Sequence, residues 1–474
     1  MDSSILRKRV ARRRVGAVGL ACLGVAQLGC PRASPTASGL LAGVDLAAPQ
    51  AAERPSSDPA VARCHREGRG AALGSDPSAG PTIVGDGVAF DGSYAMGLTH
   101  GSGQGPVAAV AWVSADVGVA RIADIGPTLG DAPPPRLARR AGGLVAAYFL
   151  RGPGVEAKDV RHLALVAIDP LPLHGARQLA MSSQQADESL AFDVAFSLYT
   201  GLVVWDEVAA RVPAAIRSPD AGGRGVIRGS AVDREWRVGA ACDLSPPQSD
   251  AESPRVVSSP SGFVVFWIAI APDSERLAPA DADSHAGIGS LSEVTGEVRT
   301  NGWVEMLALD SRAVPIGPVR RLTSERGHVS SYDVLRLESD RDSTVVVVAR
   351  DDGELTDGTG GTLLIVRASD GGPEPPITIS SGGLGRGAPA LVGATPPWVA
   401  WVGDREELRM LPLTLAGRPE GVPSQEEALG EARPLLGIAS STGDARPADR
   451  FLAVIPAERD ESIPTVAVAV CDAP

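Results

Sequence analysis

A short strand pattern recurs along this chain, and its recurrence limits the fold more than any other feature. The pattern is a turn residue followed by a run of Val, Leu, Phe and Ala that ends near an aromatic residue. Copies occupy 201–205, 261–267 and 397–401, with weaker ones at 143–148, 343–348 and 450–455. A unit repeated at intervals of roughly 50–80 residues indicates a propeller or a solenoid, because no single unit can bury its apolar face alone.

Each copy of the pattern belongs to a unit that reads as four strands. An apolar strand such as 192–196 comes first, the Val-rich core strand follows, a third strand such as 304–310 often ends in Asp, and a more polar fourth closes the unit. Alternation and β-branched residues favour strand over helix. The best helix candidate, 424–432, has only one or two turns. The core strands begin at Ser93, Gly143, Gly201, Gly262, Ser343, Pro397 and Arg450.

These units predict an all-β chain that forms a single β-propeller of about seven four-stranded blades. Six blades are the alternative, because the first unit is irregular. Residues 275–297 are interpreted as a polar excursion on one face. Residues 319–337, which follow a strand ending in Leu-Ala-Leu-Asp, resemble exported propeller-repeat proteins of GC-rich bacteria, many of them lipoproteins. The resemblance extends over roughly residues 83–474 and implies no assigned activity.

The N-terminal segment predicts export. Residues 7–14 are densely basic, and residues 15–29 are small and apolar. This order is typical of a secretory signal over residues 1–29. The apolar run is shorter than the about 20 residues that a membrane-spanning helix needs.

The end of this signal resembles that of a bacterial lipoprotein. The residues are Leu28-Gly29-Cys30, and the resemblance implies that Cys30 is lipidated. The leucine lies one position late, with Gln27 in its usual place, so ordinary cleavage near Ala26 is the alternative. We therefore expect an outer-membrane or periplasmic lipoprotein, or a secreted protein, that meets a membrane only through a possible lipid anchor.

Composition divides the exported part into a tether and a domain. Residues 30–80 are rich in Pro, Ala and Ser without an apolar period, which predicts a flexible tether. Residues 81–474 are predicted to be the β-propeller. The net charge is −13, and the rest of the chain is near −18 because the first 30 residues carry six cationic side chains and one aspartate. Such an acidic chain argues against nucleic acid as a partner.

Three cysteines lie beyond the signal. Cys64 precedes the first repeat and Cys471 lies near the C-terminus, and a closed propeller brings its first and last strands together. We therefore predict a Cys64–Cys471 disulfide that locks the ring in an oxidising compartment. Cys242 is then the odd cysteine, interpreted as a buried small apolar residue.

Motifs for catalysis are missing from the sequence. The six histidines are scattered, with no His-Glu-x-x-His, and neither a Cys-x-x-Cys nor a Gly-x-Ser-x-Gly occurs. We predict no catalytic residue, no dedicated metal site and no cofactor. Weak calcium-loop candidates are Asp351, Asp352, Glu354 and Asp357. Their spacing differs from a calcium loop, so a polar hairpin turn is the favoured interpretation.

Four tryptophans stand at equivalent ends of core strands. They could form an aromatic ring around a carbohydrate-binding mouth, or they could pack between neighbouring blades. Their equivalent position in each unit favours packing. They are Trp112, Trp205, Trp267 and Trp401.

The sequence as a whole predicts a non-catalytic cell-envelope protein that binds or scaffolds a protein or glycan through loops on one propeller face. The alternative is an extracytoplasmic hydrolase or lyase that acts on polysaccharide in the central mouth, where residues from separate blades meet and no local spacing reveals them.

Overall fold

A computed structural model describes most of the chain from residue 63 onward. The described residues are 63–73, 82–90, 93–114, 119–130, 132–151, 161–168, 177–180, 191–198, 200–208, 225–271, 301–325, 327–337, 343–351, 361–369, 372–381, 388–393, 396–403, 405, 407–426, 433–438, 449–455 and 465–472. Every regular element within them is a β-strand, as the sequence predicts. None of these residues belongs to a helix able to cross a membrane.

The described strands form seven antiparallel sheets, numbered here along the chain. Sheet 1 contains β2 (Ile83–Phe90), β3 (Ser93–His100), β4 (Val107–Ser114) and β5 (Val119–Pro127). Sheet 2 contains β6 (Arg136–Arg140), β7 (Gly143–Arg151), β8 (Arg161–Ile168) and β9 (Arg177–Ala180). Sheet 3 contains β10 (Phe192–Phe196), β11 (Gly201–Val208), β12 (Gly225–Val232) and β13 (Cys242–Asp243).

The remaining sheets follow the same order. Sheet 4 contains β14 (Asp250–Ser259), β15 (Gly262–Ile270), β16 (Gly302–Asp310) and β17 (Arg320–Arg321). Sheet 5 contains β18 (His328–Arg336), β19 (Ser343–Asp351), β20 (Gly361–Ser369) and β21 (Gly372–Pro373), and β22 (Ile377–Ser381) also pairs with β20. Sheet 6 contains β23 (Ala390–Val392), β24 (Trp398–Val402), β25 (Leu408–Pro412) and β26 (Ser424–Glu426). Sheet 7 contains β27 (Arg433–Ile438), β28 (Asp449–Ile455), β29 (Thr465–Asp472) and β1 (Arg63–Ala72).

The seven sheets are the blades of a β-propeller. The first strand of each sheet contacts the first strand of the next sheet, and β27 of sheet 7 contacts β2 of sheet 1, which closes the ring around an axis. The second strand of each sheet begins within one residue of a core-strand start that the sequence predicts. The sheet count therefore agrees with seven repeat units.

Two local predictions differ from the structure. Residues 424–426 form the strand β26 rather than the start of the candidate helix 424–432, because they pair with β25. Residues 63–72, inside the predicted tether 30–80, form β1, the outermost strand of sheet 7. Residues 63–72 thus belong to the propeller although they precede the predicted boundary at residue 81, since pairing with β29 supplies the order that local composition does not.

Apolar side chains pack between neighbouring sheets, so the core is a ring of separate clusters. One cluster joins sheets 2 and 3 and contains Trp205, and the next joins sheets 3 and 4 and contains Trp267. Trp401 lies between sheets 5 and 6. All three indoles are almost fully buried, which agrees with packing and not with an aromatic mouth. Trp112 differs, because it lies on the third strand of its sheet, with Arg121 over its ring at 5.0 Å.

The alternating strands give the propeller two distinct faces. We call the upper face the one where the second strand of each sheet ends and the third begins, and the lower face the opposite one. The turn between the third and fourth strands, on the lower face, is built alike in sheets 3, 4 and 6. In each, the residue three positions after the first turn residue has a left-handed backbone: Trp236 (φ 63°), Ala313 (φ 63°) and Gly417 (φ 76°).

The hydrogen bonds of these turns also match. Asp310 N–H donates to the Val314 carbonyl (2.8 Å), and Ala313 N–H donates back to the Asp310 carbonyl (3.1 Å). The Asp310 carboxylate accepts two further N–H groups, from Arg312 and Val314. Asp233 and Thr414 occupy the corresponding position in the other two turns and cap them in the same way. The aspartate at the end of third strands is therefore a turn cap.

Candidate functional site at the upper mouth of the axis

Charged side chains from three blades meet in the central channel. The Asp86 carboxylate of sheet 1 forms an ion pair with Arg136 of sheet 2 and lies 3.8 Å from a guanidinium nitrogen of Arg255 in sheet 4. Sheets 1 and 4 are not neighbours in the ring, so Arg255 reaches across the axis. Both arginine side chains are 18% exposed whereas Asp86 is 40% exposed, which leaves its carboxylate open to solvent in the channel.

Bulges in the first strands bring these groups together. The pairing of β2 with β3 shifts between Val84 and Gly87, so Asp86 lies within the bulge. The pairing of β14 with β15 shifts between Glu252 and Arg255. A bulge bends its strand and redirects nearby side chains, and bulges are frequent beside functional sites. The contact between Asp86 and Arg255 therefore depends on two separate bulges, one in β2 and one in β14.

Two further aspartates on first strands connect one blade to the next. The Asp193 carboxylate accepts the N–H of Val256 in sheet 4 (2.8 Å), and the Asp333 carboxylate accepts the N–H of Leu391 in sheet 6 (2.8 Å). Each aspartate follows an aromatic residue and precedes valine, which is a sequence signal that could have identified them. Because they satisfy backbone donors at blade junctions, their first role is structural.

The corner between sheets 3 and 4 holds a strained backbone at the upper end of the channel wall. Ser253 has φ 55°, unusual for a residue with a side chain. Its N–H donates to the buried carboxylate of Asp206 (3.0 Å), and its carbonyl accepts the hydroxyl of Tyr332 from sheet 5 (2.6 Å). Asp206 also accepts the N–H of Ala191 (3.2 Å). Contacts from two neighbouring sheets thus hold the strained residue.

The same corner shifts two ionisation equilibria. Burial raises the pKa of Glu252 above its usual range, and the negative charges of Asp206 and Asp250 raise it further. Burial also raises the pKa of Tyr332 well above its usual value, against an opposing effect of Arg255. Tyr332 therefore remains a protonated donor to Ser253, and Glu252 holds its proton to a higher pH than a solvated glutamate does.

The connections that join the upper ends of the second and third strands are strongly acidic in sequence. Its seven connections from second to third strands contain eighteen acidic and eight basic residues, none of them in 101–106. The connections are 101–106, 152–160, 209–224, 271–301, 352–360, 403–407 and 456–464. Their excess of acidic residues accounts for much of the net charge of −13, although most of these residues lie outside the described part of the chain. Acidic segments of this kind attract cationic groups.

A cavity of about 220 Å³ lies at the lower side, between sheets 4 and 5. Met306, Ile316 and Arg320 are among its lining residues, and Ile316 is 56% exposed. It is remote from the axial charges and receives no second ionisable side chain. We therefore place the candidate site at the upper mouth.

The residues predicted from sequence fall in several places. Cys30 and three calcium-loop candidates, Asp352, Glu354 and Asp357, lie outside the described residues. Asp351 ends β19, opposite His328 and Gly361 in neighbouring strands. Cys64 and Cys471 lie opposite each other in β1 and β29. Cys242 is half-buried on β13 rather than fully buried. Across the part of the chain that the structure describes, no three His, Cys, Asp or Glu side chains are grouped to hold a metal ion.

Sequence comparisons give no family. No protein-family model matches the chain. No curated protein matches it either.

Structural comparisons give only fold-level likeness. Kuenenia stuttgartiensis hydrazine synthase aligns at 10% identity over 67% of this chain and 73% of that one, with a TM-score of 0.36. A neuraminidase-like protein of A/little yellow-shouldered bat/Guatemala aligns at 7% identity over 71% and 94%, with a TM-score of 0.37. A prolyl endopeptidase aligns at 11% identity over 80% of this chain but 46% of its own, with a TM-score of 0.41. At these values the likeness carries no argument about activity.

Proposed function

We propose that this protein is a non-catalytic binding or scaffold protein of the bacterial cell envelope that presents the upper face to a partner protein with a basic surface. The observation that carries the proposal is the charge of the seven upper connections, eighteen acidic residues against eight basic ones. Opposite charge accelerates association and selects among partners. The same charge disfavours an anionic glycan as the partner.

The proposal also includes the route to the envelope. The signal-like segment 1–29 and Cys30 support export and a lipid anchor, and the segment before Arg63 supplies a spacer between anchor and propeller. A propeller held this way keeps one broad face accessible. Metabolic labelling with a palmitate analogue tests the anchor: wild type should take up label, and Cys30→Ser should not.

Sheet 5 offers a matched pair of variants for testing the face. Asp352, Glu354 and Asp357 lie in the upper connection between β19 and β20. Glu338, Asp340 and Asp342 lie in the lower connection between β18 and β19. Neutralising each trio to Asn and Gln changes the charge equally on opposite faces.

Site-specific photocrosslinking in envelope preparations of the encoding organism identifies the partner. A photoreactive residue replaces exposed Gln104 on the upper face or exposed Arg234 on the lower face. We expect one protein adduct from position 104 and none from position 234. The upper trio should weaken binding of that partner by about tenfold, at roughly 0.5 kcal/mol for each charge, and the lower trio should leave it unchanged. Equal effects of both trios, or binding that does not weaken with salt, would contradict the proposal.

A second candidate is cleavage of polysaccharide in the central mouth, which the convergence of Asp86, Arg136 and Arg255 favours. Glycoside hydrolysis ordinarily uses a pair of carboxylates, of which Asp86 would supply one. Release of reducing ends from a panel of envelope and plant polysaccharides tests it. Activity lost in Asp86→Asn but kept in the upper trio would favour the enzyme over the scaffold.

A further inference from the structure

The ring is closed by the two ends of the propeller chain. β1, the first described strand, is the outermost strand of sheet 7 and pairs antiparallel with β29, the last one. Every other sheet is built from strands that follow one another in sequence. Sheet 7 is therefore the seam where the ring would open, because its outer strand comes from the far end of the chain.

The register of this seam brings two cysteines together. Cys64 is directly opposite Cys471, between the pairs Arg63–Asp472 and His65–Val470. Directly opposite residues in an antiparallel pair have Cα atoms about 4.5 or 5.5 Å apart, depending on their hydrogen bonding. A disulfide spans Cα separations of about 4.4–6.8 Å. Either kind of pair lies within that range.

The third cysteine of the propeller has a different environment. Cys242 is on β13 in sheet 3, where it is opposite Gly229, with its Sγ 3.7 Å from the Gly229 carbonyl oxygen. Sheet 3 is not a neighbour of sheet 7 in the ring. Cys242 therefore competes with neither seam cysteine in the folded protein, and it serves as an internal reference thiol.

We propose that Cys64 and Cys471 form a disulfide that fastens the seam and makes the closed ring a covalent loop. The two thiols lose two protons and two electrons in forming one S–S bond. The electrons pass to the disulfide of an oxidised dithiol, either a protein or a small molecule, through a mixed disulfide that the second cysteine displaces. In the reduced protein only non-covalent contacts hold β1, and a terminal strand held in that way opens first.

Peptide mapping of the full chain tests the bond directly. The protein is equilibrated with oxidised glutathione, free thiols are alkylated, and digestion and mass spectrometry follow without reduction. We expect a peptide pair joined through Cys64 and Cys471, lighter by two hydrogen atoms than the separate peptides, with Cys242 alkylated. Alkylation of both seam cysteines, or a bond from either one to Cys242, would overturn the proposal.

Hydrogen exchange tests the consequence for the seam. Reduction should increase exchange of the β1 amides by at least tenfold and leave the pairing of β14 with β15 in sheet 4 unchanged. Cys64→Ser, Cys471→Ser and the double variant should each reproduce the reduced protein, whereas Cys242→Ser should behave as wild type. Unchanged exchange in β1 on reduction would show that the bond, if mapped, does not fasten the ring. Peptide mapping of the wild-type protein shows whether the Cys64–Cys471 bond forms, even if a serine variant fails to fold.

Discussion

The lower-face turns and the upper corner between sheets 3 and 4 are built on different principles. The lower turns repeat one hydrogen-bond pattern in three sheets, with Asp233, Asp310 or Thr414 as the cap. The upper corner is particular to one junction, where Asp206 and Tyr332 hold the strained Ser253. Repetition on the lower face indicates a requirement of the fold. The corner between sheets 3 and 4, which lies beside the axial charges, has no such repeated hydrogen-bond pattern.

Replacing the aspartate of the corner should have the largest effect. Asp206→Ala leaves the N–H groups of Ala191 and Ser253 without their acceptor and removes the support of a left-handed backbone. We expect the free energy of unfolding to fall by about 2–4 kcal/mol. Denaturant unfolding measures it. Asp206→Asn keeps one carbonyl oxygen and should recover part of the loss; no recovery would mean that charge matters more than the two hydrogen bonds.

Substitutions at the left-handed position of the lower turns should change stability by different amounts in sheets 6 and 4. Gly417→Ala places a Cβ against Val345 and Leu337 and forces alanine to φ 76°, so we expect a loss of about 1–3 kcal/mol. Ala313→Gly at the same turn position should change stability by less than about 1 kcal/mol, because relief of strain offsets greater freedom of the unfolded chain. Thermal unfolding of both variants gives the comparison. If Ala313→Gly lost as much stability as Gly417→Ala, left-handed strain would not be what determines the residue preference at this turn position.

The turn cap should contribute less than the corner aspartate. Asp310→Ala removes the side-chain acceptor of Arg312 N–H and Val314 N–H, both near solvent. Water can replace part of the contact, so we expect a loss of about 1–2 kcal/mol. Urea unfolding checks it, with exposed Ser311→Ala as the control. A loss larger than that of Asp206→Ala would reverse the order that the comparison predicts.

The smallest effect should appear as a pH dependence at Glu252. Its pKa is raised in the folded protein by burial and by Asp206 and Asp250, so the folded state binds this proton more tightly than the unfolded state does. The resulting stability is fully present below the unfolded pKa and is lost as the pH rises through the folded pKa. Glu252→Gln should therefore be more stable than wild type at neutral pH, with the difference shrinking in acid. A difference that is constant with pH would contradict the assignment.

The repeat units could be predicted from sequence because the apolar pattern of a strand is visible within a few consecutive residues. The glycines at the start of the core strands illustrate this: a Cβ at Gly201 would overlap the ring of Phe196, and one at Gly262 would overlap the backbone of Leu309 and Asp310. Glycine also begins the core strand at 143, whereas the other four starts are Ser93, Ser343, Pro397 and Arg450 and are recognised by the apolar runs that follow them. The seven strand starts could therefore be counted from local pattern without a structure.

The axial cluster could not be predicted, because its members have no spacing in common. Asp86 and Arg255 are far apart in the chain and meet across the axis only because of the ring and its two bulges. Single aspartates and arginines of this kind are ordinary in a chain with 21% charged residues. The outer strand β1 escaped prediction for a related reason, since its order comes from pairing with β29.

The sequence by itself determined the all-β class, the repeating four-strand unit and the acidic character of the chain, because these depend on local periodicity and on composition. Only the tertiary structure decided which end of the chain closes the ring, which charges meet on the axis and which face holds the long acidic connections. Those features depend on contacts between residues distant in sequence, and such contacts exist only once the sheets are arranged around a common axis.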